Sequence, residues 1–255
     1  MAITRVKSGI PGLDKLTEGG FPKNSIVLIS GAPGTGKSIL CMQYIYSGAK
    51  AGEPGIYVTF EQSEKDLISN GKKVGIDFAP LIKQGKMKVM HINLGTFEQS
   101  MLDVEDLMDT IKGEVKAMKA KRLVIDSLSS LINTFTLGYL GRKSESDTVE
   151  IGNTKLIPLV IDEKPISRTI VWNAINDLKG TGCTACVTSE LSSESKWLSR
   201  DTVSEFAVDG ILKVEAEAVG KKLQRNIVLV KMRSTKIDGG RHSMDITSKG
   251  IKMLD

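Results

Sequence analysis

The residues Gly31-Ala32-Pro33-Gly34-Thr35-Gly36-Lys37-Ser38 have the types and spacing to hold a polyphosphate. They fit the pattern G-x-x-x-x-G-K-[ST] without a mismatch. Gly31, Gly34 and Gly36 let the backbone bend, so that successive N–H groups face phosphate oxygens. A helix start behind them adds partial positive charge. Lys37 has the reach to touch the β- and γ-phosphates, and the Ser38 hydroxyl suits a Mg²⁺ ion. Thr35 and Ile39 complete the candidate binding set. The chemistry implied is binding of ATP with Mg²⁺ and attack on its terminal phosphate.

Such a site needs acids beyond the loop. Asp126 closes an apolar run, Leu123-Val124-Ile125, and is the candidate second support for Mg²⁺. Glu61 ends the run Ile56-Tyr57-Val58-Thr59-Phe60 and is the candidate that orients or deprotonates water. Gln62 beside it can hydrogen-bond but cannot act as a base. Lys231 and Arg233 are two apart in an alternating run, so they share a face. From spacing alone they read as a solvated basic edge, with Lys236 nearby. Cys183 and Cys186 form C-x-x-C, but residues three apart on a strand face opposite ways, so they read as core. Cys41 reads as a small buried residue. His91 and His242 suggest no catalytic pair. Trp172 reads as helix core.

The elements that must position these groups are legible from periodicity. Strands are expected at Ile26–Ser30, Ile56–Phe60, Lys88–Ile92, Arg122–Ser127 and Thr184–Ser189. Helices are expected from the glycine loop to about Lys50, near Leu13–Leu16, around Glu64–Val74 with Ser63 as N-cap, over Met101–Met118 and over Arg168–Lys179. Antiparallel strands are expected at Gly210–Ala216, Arg225–Lys231 and His242–Thr247, with a turn at Asp238-Gly239-Gly240. Residues 136–167 read as a long connection, and 190–204 as a mobile Ser-rich loop. Strand–helix alternation followed by hairpins implies an α/β domain with a mostly parallel sheet. With no repeat and no composition break, residues 1–255 read as one domain.

Composition bounds the class. Of 255 residues, 40% are apolar, enough for a core, and mean hydropathy is −0.06. No apolar run reaches the roughly 20 residues of a membrane span, and the N-terminus has no signal-like apolar stretch. A soluble, cytoplasmic protein with reduced thiols is expected. The net charge is +5. Residues 219–255 hold nine Lys/Arg and three acids, so the basic surplus lies at that end. Such a surplus suits nucleic acid, or a phosphate bound by another subunit.

Taken in order, Gly9-Ile-Pro-Gly-Leu-Asp14, Gly19-Gly20-Phe-Pro22, the glycine loop, Tyr57-Val-Thr-Phe-Glu61, Asp126-Ser-Leu, Thr188-Ser-Glu190, Ser204-Glu-Phe-Ala-Val-Asp209 and Lys231-Met-Arg-Ser-Thr235 are familiar. The chain resembles the KaiC-like ATPases of the RecA/RadA superfamily over nearly its whole length. The resemblance implies a RecA-like fold, ATP and Mg²⁺ as ligands, and homo-oligomeric rings, usually hexamers, with ATP between subunits. It implies phosphate binding by Gly34–Ser38, Mg²⁺ support by Asp126 and a catalytic role for Glu61. Lys231, Arg233 and Thr235 match the segment that reaches ATP from the neighbouring subunit. That outweighs the solvated-edge reading. One departure is Gln62, where the family pattern has a second acid. Another is the single ATPase lobe, where KaiC has two.

Three other readings follow from the same residues. A RadA-like recombinase would need a basic, aromatic DNA-facing loop. Residues 136–168 instead hold five basic and five acidic residues, with Tyr139 alone as a platform. An autokinase would phosphorylate a hydroxyl such as those of Ser192, Ser193 and Ser195. A nucleotide-gated scaffold would hydrolyse little.

Overall fold

The computed structural model describes residues 3–95, 104–146, 149–151, 154–156, 163–192 and 195–254. Its centre is a nine-stranded sheet. Along the chain, β1 (Arg5–Val6), α1 (Leu13–Leu16) and β2 (Phe21–Pro22) precede β3 (Ile26–Gly31) and α2 (Lys37–Lys50). Next come β4 (Gly55–Thr59), α3 (Glu64–Lys73), α4 (Ala79–Lys83), β5 (Met87–His91), α5 (Val104–Met118) and β6 (Arg122–Asp126). The helix α6 (Leu128–Ser146), a small hairpin β7 (Val149–Ile151) and β8 (Thr154–Leu156), α7 (Glu163–Gly180) and β9 (Thr184–Glu190) follow. The end is α8 (Ser204–Ala207), β10 (Gly210–Val219), β11 (Lys222–Met232), β12 (Arg241–Thr247) and β13 (Gly250–Met253).

The sheet order is β13-β12-β11-β10-β3-β9-β6-β4-β5. From β10 to β5 all neighbours are parallel. From β10 to β13 they are antiparallel. The α/β class with C-terminal antiparallel strands therefore holds.

Period-two alternation explains how the sheet is covered on both faces. Val27, Ile29, Tyr57, Val124, Cys186 and Leu212 enter one apolar cluster with α2 and α3. Ile26, Leu28, Ile56, Val58, Leu123, Ile125, Ala185 and Val187 enter the other, with α5, α6 and α7. Each fully buried Val, Leu or Ile contributes about 1.5–3 kcal/mol relative to exposure. A one-residue slip would invert both faces. Cys183 and Cys186 lie in opposite clusters, as expected from their spacing, and both are free thiols.

One buried cation ties α2 to the sheet. Arg122 is 2% exposed. Its Nε and Nη2 reach Glu53 Oε2 at 2.7 and 2.6 Å, and Nη1 donates to the Tyr44 carbonyl at 2.8 Å. The guanidinium also stacks 4.7 Å from the Tyr44 ring centre. Gly48 makes room for it, since a Cβ there would run into the Arg122 side chain.

Several expectations need correction. Leu128, Leu131, Ile132 and Phe135 are buried at helical spacing, so α6 runs well past residue 136, where a loose connection is expected. The segment also carries β7 and β8, and α7 starts five residues before Arg168. Residues 157–162 and the expected helix start at 101–103 lie outside the described residues, as do Ser193 and Glu194. The Ser-rich stretch is anchored in its described part. Ser199 and Ser204 are buried, and Asp201 Oδ1 accepts from the N–H groups of Val203 and Ser204 at 2.8 and 2.6 Å. Trp172 is not core; it lies partly exposed on α7. Ser63 does cap α3, accepting from Asp66 N–H at 3.1 Å.

Candidate functional site

Strand register brings Asp126, chosen from sequence, and Glu190 to one end of the sheet. Gly31 pairs with Glu190 across β3 and β9, and Thr59 pairs with Asp126 across β4 and β6. All are at carboxyl ends of parallel strands, where α/β sheets bind ligands. The glycine loop leaves β3 there and turns into α2. Gly34 and Gly36 have φ of 77° and 113°, a region that favours glycine. A Cβ at Gly31 would run into the Val214 carbonyl oxygen of β10. Thr35 is buried and its hydroxyl donates to the Ala32 carbonyl at 2.8 Å, which fixes the bend.

A cavity of 330 Å³ opens over this loop. It is lined by Gly34, Gly36, Lys37, Ser38, Ile39, Glu61 and Asp126, all selected from sequence. It is also lined by Thr59, Gln62, Glu190, Arg225 and Ile246. Of these the sequence reading gives none of the last three a role. Arg225 and Ile246 belong to β11 and β12. Ile246 Cδ1 would lie 3.1 Å from a Cβ at Gly36, so the antiparallel strands close one side of the phosphate loop. Arg225 Nε is buried and makes no hydrogen bond among the described residues.

Lys37 is folded back on its own loop. Its Nζ donates to the carbonyls of Gly31 and Ala32 at 2.9 and 3.1 Å, and lies 4.0 Å from Glu190 Oε1. Burial pushes its pKa below the ordinary 10.5, against the attraction of Glu190 and then Asp126. Asp126 is held by two hydroxyls. Thr188 Oγ1 donates to Oδ1 at 2.6 Å, and the Tyr57 hydroxyl donates to Oδ2 at 2.6 Å. Burial, then Asp126, raises the Tyr57 pKa well above its usual value, so it stays a donor.

Glu61 sits just past β4. The Ser130 hydroxyl donates to its Oε1 at 2.6 Å. Gln62 Oε1 accepts from Asn70 Nδ2 on α3 at 3.2 Å, so its side chain is turned to a structural partner.

Lys231, Arg233 and Thr235 are elsewhere. Met232 pairs with Gly210, and Gly210 with Val27, at the amino end of β3. This is the sheet end opposite the glycine loop, and within one chain the three residues are not part of its cavity. Lys231 Nζ donates to the carbonyls of Val208 and Glu205 at 2.8 and 3.1 Å. Arg233 Nη1 lies 3.3 Å from Asp209 Oδ1. Thr235 Oγ1 accepts from Arg5 Nη1 at 2.8 Å. Burial, then Arg233, lowers the Lys231 pKa. The aromatic ring of Phe206 is exposed in the same region.

The donor set suits a metal–polyphosphate. Lys37, Arg225 and the loop N–H groups offer positive charge, while Ser38, Asp126, Glu61 and Glu190 offer oxygen. Among the described residues, no group of three or more His, Cys, Asp or Glu is poised to hold a metal ion alone. A hard cation here would therefore need phosphate oxygens as well, as Mg²⁺ commonly does.

A glycine loop between β3 and α2, an acid ending β6 and this strand order define a RecA-type P-loop domain. Comparison with known proteins agrees. The family model described as the KaiC ATPase matches residues 6–144 and 136–255. A UPF0273 protein of Thermotoga maritima is 33% identical over 259 residues, covering 98% of this chain and 95% of its own. A UPF0273 protein of Sulfurisphaera tokodaii is 34% identical over 262 residues, covering 98% and 82%. The crystal structure of a KaiC-like protein from Pyrococcus horikoshii OT3 superposes with a TM-score of 0.78 at 31% identity, over 100% of both chains. The chain belongs to the KaiC ATPase family, whose members are ATP-binding ATPases of the KaiC/RecA type. Among the described residues, no helix is long and apolar enough to cross a membrane.

Proposed function

We propose that this protein is a Mg²⁺-dependent, oligomeric ATPase that works as one domain in the cytoplasm. Its nucleotide would lie between copies, so that binding and hydrolysis are coupled to assembly or to a partner. The observation that carries this reading is the shared cavity of Lys37, Ser38, Glu61 and Asp126.

Each residue then has a role. N–H groups of Gly34–Ser38 cradle the phosphates, and Lys37 leaves its carbonyl partners for the β- and γ-oxygens. Ser38 and Asp126 would hold Mg²⁺, which neutralises charge on those oxygens. Glu61 orients the attacking water and takes its proton. Arg225 and Ile246 face the rest of the nucleotide, a cation and an apolar surface suited to ribose, phosphate or base. Lys231 and Arg233 of a neighbouring copy supply positive charge to the γ-phosphate, and Thr235 of that copy a neutral hydroxyl donor. Their place at the far end of the sheet supports a contribution in trans, and exposed Phe206 beside them supports a contact there.

The test is direct. Lys37→Ala should abolish nucleotide binding or turnover. Glu61→Gln should bind ATP as the wild type does and hydrolyse at least 10²-fold more slowly. Wild-type turnover in Glu61→Gln would remove Glu61 from the mechanism. Light scattering with and without ATP and Mg²⁺ tests assembly, and a permanent monomer would remove the trans role.

A further inference from the structure

Glu61 lies in a loop just past β4 and is exposed. A glutamate in such a place samples many rotamers, whereas a base must stay within hydrogen-bond reach of its water. Something has to hold it. The first turn of α6 does. Ser130 Oγ donates to Glu61 Oε1 at 2.6 Å, in the range of a hydroxyl on an ionised carboxylate. Ser127 Oγ lies 3.3 Å from the same oxygen and 2.8 Å from Ser130 Oγ. The Ser130 N–H donates to Ser127 Oγ at 3.2 Å.

Counting protons orders this group. Each hydroxyl has one to give. Ser130 gives its own to Glu61, so in the 2.8 Å contact between the two serines Ser127 is the donor, its proton shared with the longer 3.3 Å contact to Oε1. Donation then runs one way, from the helix N–H through Ser127 and Ser130 to Oε1. Each donor polarises the next and strengthens the last bond. Ser127 also follows Asp126 directly, and Phe60 N–H donates to the Asp126 carbonyl at 3.1 Å. One short turn thus fixes the candidate base relative to the candidate metal-supporting acid.

We propose that Ser130 is a positioning residue for ATP hydrolysis. It ties down Oε1 of Glu61, so that Oε2 is the oxygen that meets the attacking water. The water oxygen bonds the γ-phosphorus, the bond to the β–γ bridging oxygen breaks, ADP leaves with that electron pair, and the water proton passes to Oε2. This rests on the reading of Glu61 as the base. Ser130 itself touches neither nucleotide nor water.

The test uses the full chain with Ser130→Ala, Ser130→Thr, Glu61→Gln and the Ser130→Ala/Glu61→Gln double variant. ATP turnover is measured together with binding of a non-hydrolysable ATP analogue and the thermal midpoint. Ser130→Ala should lower kcat by about 10-fold, with KM and analogue affinity unchanged. Ser130→Thr restores the hydroxyl and should recover most of the rate. The double variant should be no slower than Glu61→Gln alone. Wild-type kcat in Ser130→Ala, while Glu61→Gln is slow, would overturn the role of Ser130. So would a loss that adds to that of Glu61→Gln, or one that Thr does not rescue. Wild-type turnover in Glu61→Gln would instead overturn the reading of Glu61 itself.

Discussion

The Tyr57 hydroxyl donates to Asp126 Oδ2 at 2.6 Å from a fully buried ring. The same carboxylate takes a second bond from Thr188. Asp126 is therefore oriented by two neighbouring strands, β4 and β9, before any ligand arrives. Tyr57→Phe keeps the ring and removes one donor. We expect a folded protein whose turnover needs about 10-fold more Mg²⁺ for half-saturation. A Mg²⁺ titration of ATP turnover and of analogue binding checks it, and an unchanged midpoint would contradict it.

Lys37 gives a pH signature. Burial lowers its pKa in the free protein, and phosphate beside it would raise that pKa. The bound state then holds the proton more tightly. Affinity for ATP should be full below the free-state pKa and fall as pH rises through it toward the bound-state value. Calorimetry in buffers of different ionisation enthalpy should show proton uptake on binding in the alkaline range. For folding of the ligand-free chain the sign is reversed. The unfolded lysine holds its proton more tightly, so Lys37's contribution to stability improves as pH rises through its lowered pKa.

Lys231 and Arg233 invite a mixing experiment. Arg233→Ala copies keep the glycine loop, and Lys37→Ala copies keep the basic segment. Each variant alone should be inactive. A mixture should regain activity, at about a quarter of the sites if copies assort at random in equal amounts. Failure to regain any activity in demonstrably mixed assemblies would argue against a shared site.

Gly48 lies against the Arg122 guanidinium. Gly48→Ala should cost about 2 kcal/mol, because Arg122 cannot withdraw without losing Glu53 and the Tyr44 carbonyl. Denaturant unfolding monitored by Trp fluorescence measures this. ATP affinity, measured under conditions where the variant is folded, should change little.

Cys41, Cys183 and Cys186 are all buried, and burial raises each thiol pKa. Thiol reagents at neutral pH should titrate none of them in the native protein and all after denaturation. A rapidly modified native cysteine would show that a helix–sheet contact opens readily.

The parts of the site that could be read from sequence share one property: each carries its context with it. The glycine loop has its strand before and helix after, Asp126 ends an apolar run, and Glu61 does the same. Arg225 and Ile246 carry no such signal. Their approach to Gly36 arises from the pairing of β10 with β3 and of β11 with β12, contacts between residues far apart in sequence. The helix α6 is not expected at all from the sequence: Leu128, Leu131, Ile132 and Phe135 have helical spacing, but it follows directly on a strand end, and Gly138 and Gly141 read as turn signals. The order in the Ser-rich stretch comes from Asp201 binding backbone N–H groups, which composition cannot reveal. Lys231 and Arg233 look like any basic edge until the sheet shows which end they occupy.

The involvement of β11 and β12 in the cavity also sets a timetable for the newborn chain. Synthesis runs from the amino end, and early segments begin to fold first. A ribosome that has released 200 residues has delivered the glycine loop, Glu61 and Asp126, but neither Arg225 nor Ile246. Such a half-made chain offers phosphate-binding groups without the wall that closes over them. Nucleotide should therefore be gripped tightly only once β11 and β12 have joined the sheet.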